Sequence, residues 1–436
     1  MDYNYIFDKL EKERDKMKVI KGNIVSATGF GELTILENGF IVLDKAGKIA
    51  AVTEHLTEEQ KRLPLMDYGE RLILHSFVDM HLHAPQYPML GMGMDLSLLD
   101  WLNTYTFQME ARFSDVEYAR EVYQRLAADL IHWGTTRVVM FSSLHTQATW
   151  VLMEELEKAG LTGYVGKVNM DRNGGVNLQE TTKESKRETL RWLDGCERFQ
   201  RIKPIITPRF TPSCTDGLMD WLGRLAEERN LFVQSHMNEN LEEIRLVKEL
   251  VPDCDRYWQT YAKHRMWKDH TVMAHCVHID KDEIAALKEA NVVVAHCADS
   301  NINICSGIAP VRQLVKEGVW VTLGSDIAGG AQLSMAEVIT MTIRSSKILA
   351  MQKQEDGNFL SVAEGYYLGT VSGHKYFGSG EGFCVGDMFH AIVVDDSDRI
   401  SLGRKMTVQE RFERMIYRMK KENIVAVYSE GKKVLG

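Results

Sequence analysis

Eight short apolar runs, each ending in polar residues, constrain this chain more than any other feature. The first four are "FVDMHLH" (77–83), "TTRVVMFSS" (135–143), "GYVGKVNMD" (163–171) and "KPIITPRF" (203–210). Four more follow: "LFVQSHMNE" (231–239), "TVMAHC" (271–276), "VVVAHCADS" (292–300) and "WVTLGSD" (320–326). The stretches between them, such as "TDGLMDWLGRLAEERN" and "LEEIRLVKELV", carry apolar residues at helical spacing. Eight strands each followed by a helical stretch predict an α/β fold with a (β/α)8 barrel of the TIM type, over residues 71–379. A doubly wound open sheet shares the alternation but calls for a glycine-rich turn after its first strand, and "HLHAPQ" is not one. Outside the barrel the pattern is β, in residues 1–70 ("VIKGNIVSATG", "GFIVLDKAGKIAAVT") and 380–436 ("GDMFHAIVVDD", "NIVAVYSEGKKV"). The expectation is a small accessory β-sandwich built from both chain ends.

A barrel gathers the C-terminal ends of its strands at one mouth, where functional residues sit. Those ends are polar here. His81 and His83 close the first run, and on an extended strand they point the same way, about 6.6 Å apart. Arg209 and Phe210 end the fourth, His236 and Glu239 the fifth, His275 the sixth and Asp326 the eighth. Imidazoles with a carboxylate make a nitrogen and oxygen donor set suited to zinc or iron. Such a metal with an open position activates water near neutral pH, so hydrolysis is the expected reaction class.

Each of these residues also has a plain structural reading. The histidines could be satisfied in the core, Asp326 could cap a helix, and Glu239 could open the next one. Arg209 could serve an ion pair, Gln86 could be a loop amide, and Phe210 a core ring. Asp79 lies one layer below His81 on the same strand face and is expected to support it by hydrogen bonding. His296 repeats the "AHC" context of His275 and reads as structural or supporting, while Cys276 reads as a buried packer.

Composition narrows the partners. A net charge of -9 argues against a phosphate-binding basic face and hence against nucleic acid. No run approaches the roughly 18 to 20 apolar residues needed to cross a bilayer, and "MDYNYIFDKLEKERDKMKVI" does not read as a secretory signal. Seven cysteines with no CxxC pair fit reduced thiols in the cytoplasm. The H-x-E with P-C-x-x-C signature of cytidine-type deaminases is absent.

Taken in order, "FVDMHLHAPQY", "TPRF", "SHMNEN", "MAHC", "AHCADSN" and "GSDIAGG" resemble the amidohydrolase superfamily and, within it, the guanine deaminase family. The likeness runs from about Leu74 to Ile343 and is weaker in the flanking β segments. It implies one zinc ion, with iron as the other candidate, held by His81, His83, His236 and Asp326, with His275 orienting the metal-bound water. A binuclear site would call for a bridging lysine near the end of the fourth strand; that strand ends in Arg209 and Phe210, and Lys167 lies in the third. Glu239 resembles the family's proton shuttle, provided the chain leaves its strand near Asn238, since three residues of extended chain would turn it to the opposite face. Asp326 would be the first proton acceptor. Gln86, Arg209 and Phe210, with Trp101 and His236, resemble the set that holds guanine, whose O6 and N7 suit an arginine fork. The implied partner is therefore a small molecule, in a cytoplasmic homodimer. Two other functions stay open: deamination of a different aminated heterocycle, and a non-catalytic scaffold on the same fold. "HSFVD" stands where the family has "PGFVD", and "AHCADSN" where it has "AHCPNSN", placing His75, Ser76, Ala298 and Asp299 at unusual positions.

Overall fold

The structure, a computed structural model, describes residues 17–175, 177–398 and 402–436. Residues 1–16, which carry most of the segment tested above for a signal sequence, lie outside them. The described chain opens with β1 (Lys18–Gly29), β2 (Glu32–Leu43), β3 (Ile49–Thr53) and β4 (Leu65–His75). β1 to β3 form an antiparallel meander, and β4 runs parallel to β1.

The eight apolar runs each contain strand. They appear as β5 (Phe77–His83), β6 (Thr135–Phe141), β7 and β8 (Thr162–Gly166, Val168–Asn169), and β9 and β10 (Ile202–Pro204, Thr207–Pro208). β11 (Gln234–Met237), β12 (Val272–His275), β13 (Val293–His296) and β14 (Trp320–Leu323) complete the series. β5-β6-β7-β9 and β11-β12-β13-β14 form two parallel sheets, and β8 pairs with β10. A parallel bridge between Ile206 and Val233 joins the first group to the second. At the other edge, Asp326 N–H donates to the His81 carbonyl (2.8 Å) and His83 N–H to the Ile327 carbonyl (3.2 Å). Every residue of β5 and β6 is buried, which is why these strands read as continuous apolar runs rather than as alternation.

β15 (Ala391–Val394), β16 (Ile424–Ser429) and β17 (Lys432–Leu435) return to the first sheet through antiparallel pairing of β15 with β4. Both chain ends thus meet, but in one seven-stranded sheet, β17-β16-β15-β4-β1-β2-β3, and not in the two hydrogen-bonded layers expected of a sandwich. The reason lies in β1, which pairs with β2 on one edge and β4 on the other and so leaves no break between layers. Register shifts at Gly22/Ile24 and Ala27/Gly29 let it bend. One face of this sheet buries Ile20, Ile41, Ile73, Val393 and Tyr428 in a core of its own. Val25, Leu72, Leu74 and Ile392 join the large core shared with the helices.

His75 and Ser76 sit at the junction of the two parts. His75 Nε2 lies 3.1 Å from Ser26 Oγ, and the ring stacks on Phe383 at 3.9 Å. Ser76 Oγ lies 2.6 Å from Thr136 Oγ1, and its carbonyl accepts from His374 Nε2 (2.9 Å). His374 Nδ1 in turn accepts from Arg137 Nη1 (3.0 Å), and His390 Nδ1 lies 3.0 Å from Thr136 Oγ1. Burial pushes His75 down to about 3 and holds His374 and His390 well below the usual imidazole range. The unusual pair therefore ties the seven-stranded sheet to the β5–β6 sheet. Among the described residues no helix is long and apolar enough to cross a membrane.

Candidate active site

β5 presents His81 and His83, both buried, with ring centroids 5.0 Å apart. The other groups arrive where strands end and the backbone turns. β11 stops at Met237, and Asn238 takes φ +52°. This is the exit that Glu239 needed, and Asn240 then caps the helix Leu241–Leu250. His275 (φ +74°), Cys276 (φ +49°) and Asp326 (φ +48°) also occupy the left-handed region, which is costly for residues with a Cβ and clusters at functional sites. Gly324 precedes Asp326 because a Cβ there would stand 2.8 Å from the Cβ of His81.

The imidazole nitrogens converge. His83 Nε2 and His236 Nε2 are 3.0 Å apart, and His81 Nε2 and His83 Nε2 lie 3.2 and 3.5 Å from Asp326 Oδ1. Donor atoms of His81, His83 and His236 fall within 4.8 Å of one another, as do those of His81, His275 and Asp326. His236 Nδ1 donates to the Arg209 carbonyl (2.6 Å), and His275 Nδ1 donates to Asn301 Oδ1 (2.9 Å). Those bonds put the proton on Nδ1 and leave the Nε2 lone pair pointing inward, as metal-binding imidazoles require. Burial, then the neighbouring imidazoles, holds His83 and His236 well below their usual range, and burial brings His275 to about 4. Neutral rings with converging lone pairs, and a buried His81 Nε2 without a hydrogen-bond partner, fit a divalent cation.

His275 Nε2 also faces Glu239 Oε2 at 3.4 Å and Asp326 Oδ2 at 3.8 Å. Burial, then the charges of Asp326 and Glu243, raises Glu239 well above the ordinary carboxyl range. Burial acts on Asp326 as well, but His81 and His275 outweigh it and hold that carboxyl low. Two carboxyls in one site are thereby split, one favouring its proton and one its charge.

A partly open cavity faces this cluster. Gln86, Arg209 and Phe210 line it, and Trp101 closes one side with Leu98 and Leu102. Trp101 is held by an indole N–H bond to the Met92 carbonyl (3.0 Å). The ten residues expected to hold metal, move protons or bind substrate therefore meet, nine in the cavity wall and His81 among the converging nitrogens. Asp79 lies below, where its carboxylate accepts from the Ser325 and His81 backbone N–H groups at 2.9 and 3.3 Å. His296 is buried beside the cluster with both ring nitrogens unpartnered, and Cys276 packs in the core.

Sequence reasoning missed Glu110. It lies in a helical run, Leu98–Trp101, Leu102–Thr106 and Phe107–Ala111, whose middle segment is a π turn. Glu110 is 1% exposed and pairs with Arg209, through Arg209 Nη1 to Oε2 (2.6 Å) and Nη2 to Oε1 (3.0 Å). Asn301, which fixes His275, was missed too.

Residues 72–434 match the Amidohydrolase family. A guanine deaminase of Dictyostelium discoideum is 33% identical, over 96% of this chain and 98% of that protein. A guanine deaminase of Mus musculus is 35% identical over 86% of each chain. A crystal structure of guanine deaminase from C. acetobutylicum, with bound guanine in the active site, superposes with a TM-score of 0.93 at 41% identity. That superposition covers 96% of this chain and 99% of the other. With a profile match over most of its length, relatives above 30% identity along nearly all of it and a shared architecture, the chain belongs to the amidohydrolase family.

Proposed function

We propose that the chain is a guanine aminohydrolase, converting guanine and water to xanthine and ammonia. One observation carries the reading: Gln86 and Arg209, a purine-reading pair, line the same cavity as the converging nitrogens of His83 and His236. The similar proteins named above support it. His81, His83, His236 and Asp326 would hold one metal ion, for which zinc is our choice over iron. Bound there, it supplies the Lewis acidity that makes water nucleophilic near neutral pH.

The side chains supply the rest. His275, fixed by Asn301, orients the attacking water, and Asp326 is the first acceptor of its proton. Glu239, 3.4 Å from His275, carries protons to ring N3 and then to the departing amine as the water oxygen bonds to C2 and the C2–N bond breaks. Phe210 packs against the ring, and Trp101 excludes water above it.

The same reading extends to architecture. The eight strand positions form a closed (β/α)8 barrel, supported by the bridge at Ile206 and the hydrogen bonds of His81 and His83 to the last strand. The barrel occupies residues 71–379, between the two parts of the accessory sheet. A cytoplasmic location is supported by seven unpaired cysteines. The resemblance in sequence also carries a homodimer, which sedimentation would check.

The test of function is ammonia release from guanine, adenine, cytosine and guanosine by zinc-loaded protein, beside a chelated control. Release from guanine alone, lost on chelation, is the expected result. Release from another ring instead would overturn the reading of Gln86, Arg209 and Phe210.

A further inference from the structure

Glu110 does not line the cavity, yet it touches both polar residues that read the base. Its Oε1 accepts from Gln86 Nε2 (2.8 Å) and Arg209 Nη2 (3.0 Å), and its Oε2 accepts from Arg209 Nη1 (2.6 Å). All three side chains are at least 97% buried, so the bonds exchange little with water. On its other side, Gln86 Oε1 accepts from the Ala328 backbone N–H (3.1 Å).

These partners admit one orientation of the Gln86 amide. An ionised carboxylate only accepts and a backbone N–H only donates. Turning the amide over would set oxygen against the Glu110 carboxylate and NH2 against the Ala328 N–H, two repulsive contacts in place of two bonds. With Nε2 and Oε1 each used once, Gln86 keeps one N–H and one lone pair, in fixed positions. Arg209 spends its fork on Glu110 and keeps only donors for a ligand. The surface offered to a base is thus a fixed pattern of Arg209 and Gln86 donors with one acceptor, Gln86 Oε1, beside them.

We propose that Glu110 is a positioning residue that sets the purine specificity of this site. Held this way, Gln86 and Arg209 match a lactam edge, a ring carbonyl next to a ring N–H, as in 6-oxopurines. A 6-aminopurine presents the reverse, an amino donor next to a bare ring nitrogen, and leaves buried donors unpaired. The Glu110 charge also neutralises the guanidinium, so the pocket takes a neutral base. This inference rests on the guanine reading and adds to it the residue that encodes the choice.

The test is the affinity of metal-loaded, full-length enzyme for hypoxanthine and for adenine, measured by calorimetry so that turnover is not needed. Wild type should prefer hypoxanthine by at least roughly tenfold, the scale of one hydrogen bond in a desolvated site. Glu110→Gln, which offers an NH2 to residues that are already donors, should bring that ratio close to one. It should also raise KM for guanine about 10- to 100-fold, with kcat changed only a few-fold and metal content unchanged. If Glu110→Gln does not fold, Glu110→Asp keeps the charge but shortens the reach, and should lower the ratio about threefold. A wild-type ratio in whichever variant folds, even with a lowered Tm, overturns the proposal and leaves Glu110 as a buried ion-pair partner. Absence of guanine turnover in the wild type would instead remove the reading beneath it.

Discussion

At the residue scale, Glu239 is the sharpest point of the proposed chemistry. Glu239→Gln keeps size and polarity but cannot take a proton, so kcat should fall by about 10²- to 10⁴-fold, the usual range for a general acid–base group. Bound metal measured by atomic absorption should stay at the wild-type level. A fully active variant would remove the shuttle assignment. The residues of this site were legible to different degrees, for physical reasons. His81, His83, His236, His275 and Asp326 stand at strand ends, where polar residues interrupt apolar runs, so pattern alone exposes them. Glu110 has no such contrast. In "FQMEARF" it reads as a charge on the wet side of a helix, and only the long-range pairing with Arg209, 99 residues away, puts it inside.

At the scale of elements, the contact between β5 and the chain leaving β14 governs the proposed metal site. Gly324 is needed there because His81 packs against it. Gly324→Ala would press a methyl to 2.8 Å from the His81 Cβ and 2.9 Å from its carbonyl oxygen. The strands must part to make room, at a cost of about 1 to 3 kcal/mol typical of overpacking. Because Asp326 follows two residues later, the variant should also lose metal affinity, read as a higher zinc concentration for half-maximal activity. Unchanged zinc dependence with a lowered Tm would separate packing from ligand placement. The eight strands were readable because burial on both faces writes continuous apolar runs into the sequence. The π turn at Leu102–Thr106 was not, since a single inserted backbone residue leaves composition and approximate spacing unchanged. The pairing of these strands into one seven-stranded sheet was not legible either, for a related reason. Alternation tells which residues of a strand share a face but not whether neighbouring strands belong to one sheet or two.

At the scale of the whole molecule, the junction between the seven-stranded sheet and the parallel strands predicts how the protein responds to acid. His75, His374 and His390 are buried as neutral rings, with pKa values depressed below the roughly 6.5 of an unfolded chain. Below that pH the unfolded state binds protons that the folded state refuses, so stability is intact above about 6.5 and falls as pH is lowered. Each ring contributes about 1.4 kcal/mol per pH unit while the mismatch lasts, which for His75 extends down to about 3. Urea denaturation at pH 7 to 5 with saturating metal should show this slope, and His75→Asn should reduce it by one proton. An equal slope in the variant would place the acid sensitivity elsewhere.

Arg209 joins two tasks through different atoms. Its guanidinium faces the cavity and Glu110, while its main-chain carbonyl fixes the proton of His236. Substitution replaces the first and spares the second. Position 209, varied together with Gln86 and Glu110, is therefore where the appetite of this catalyst could be rewritten for another ring while the hydrolytic machinery stays in place.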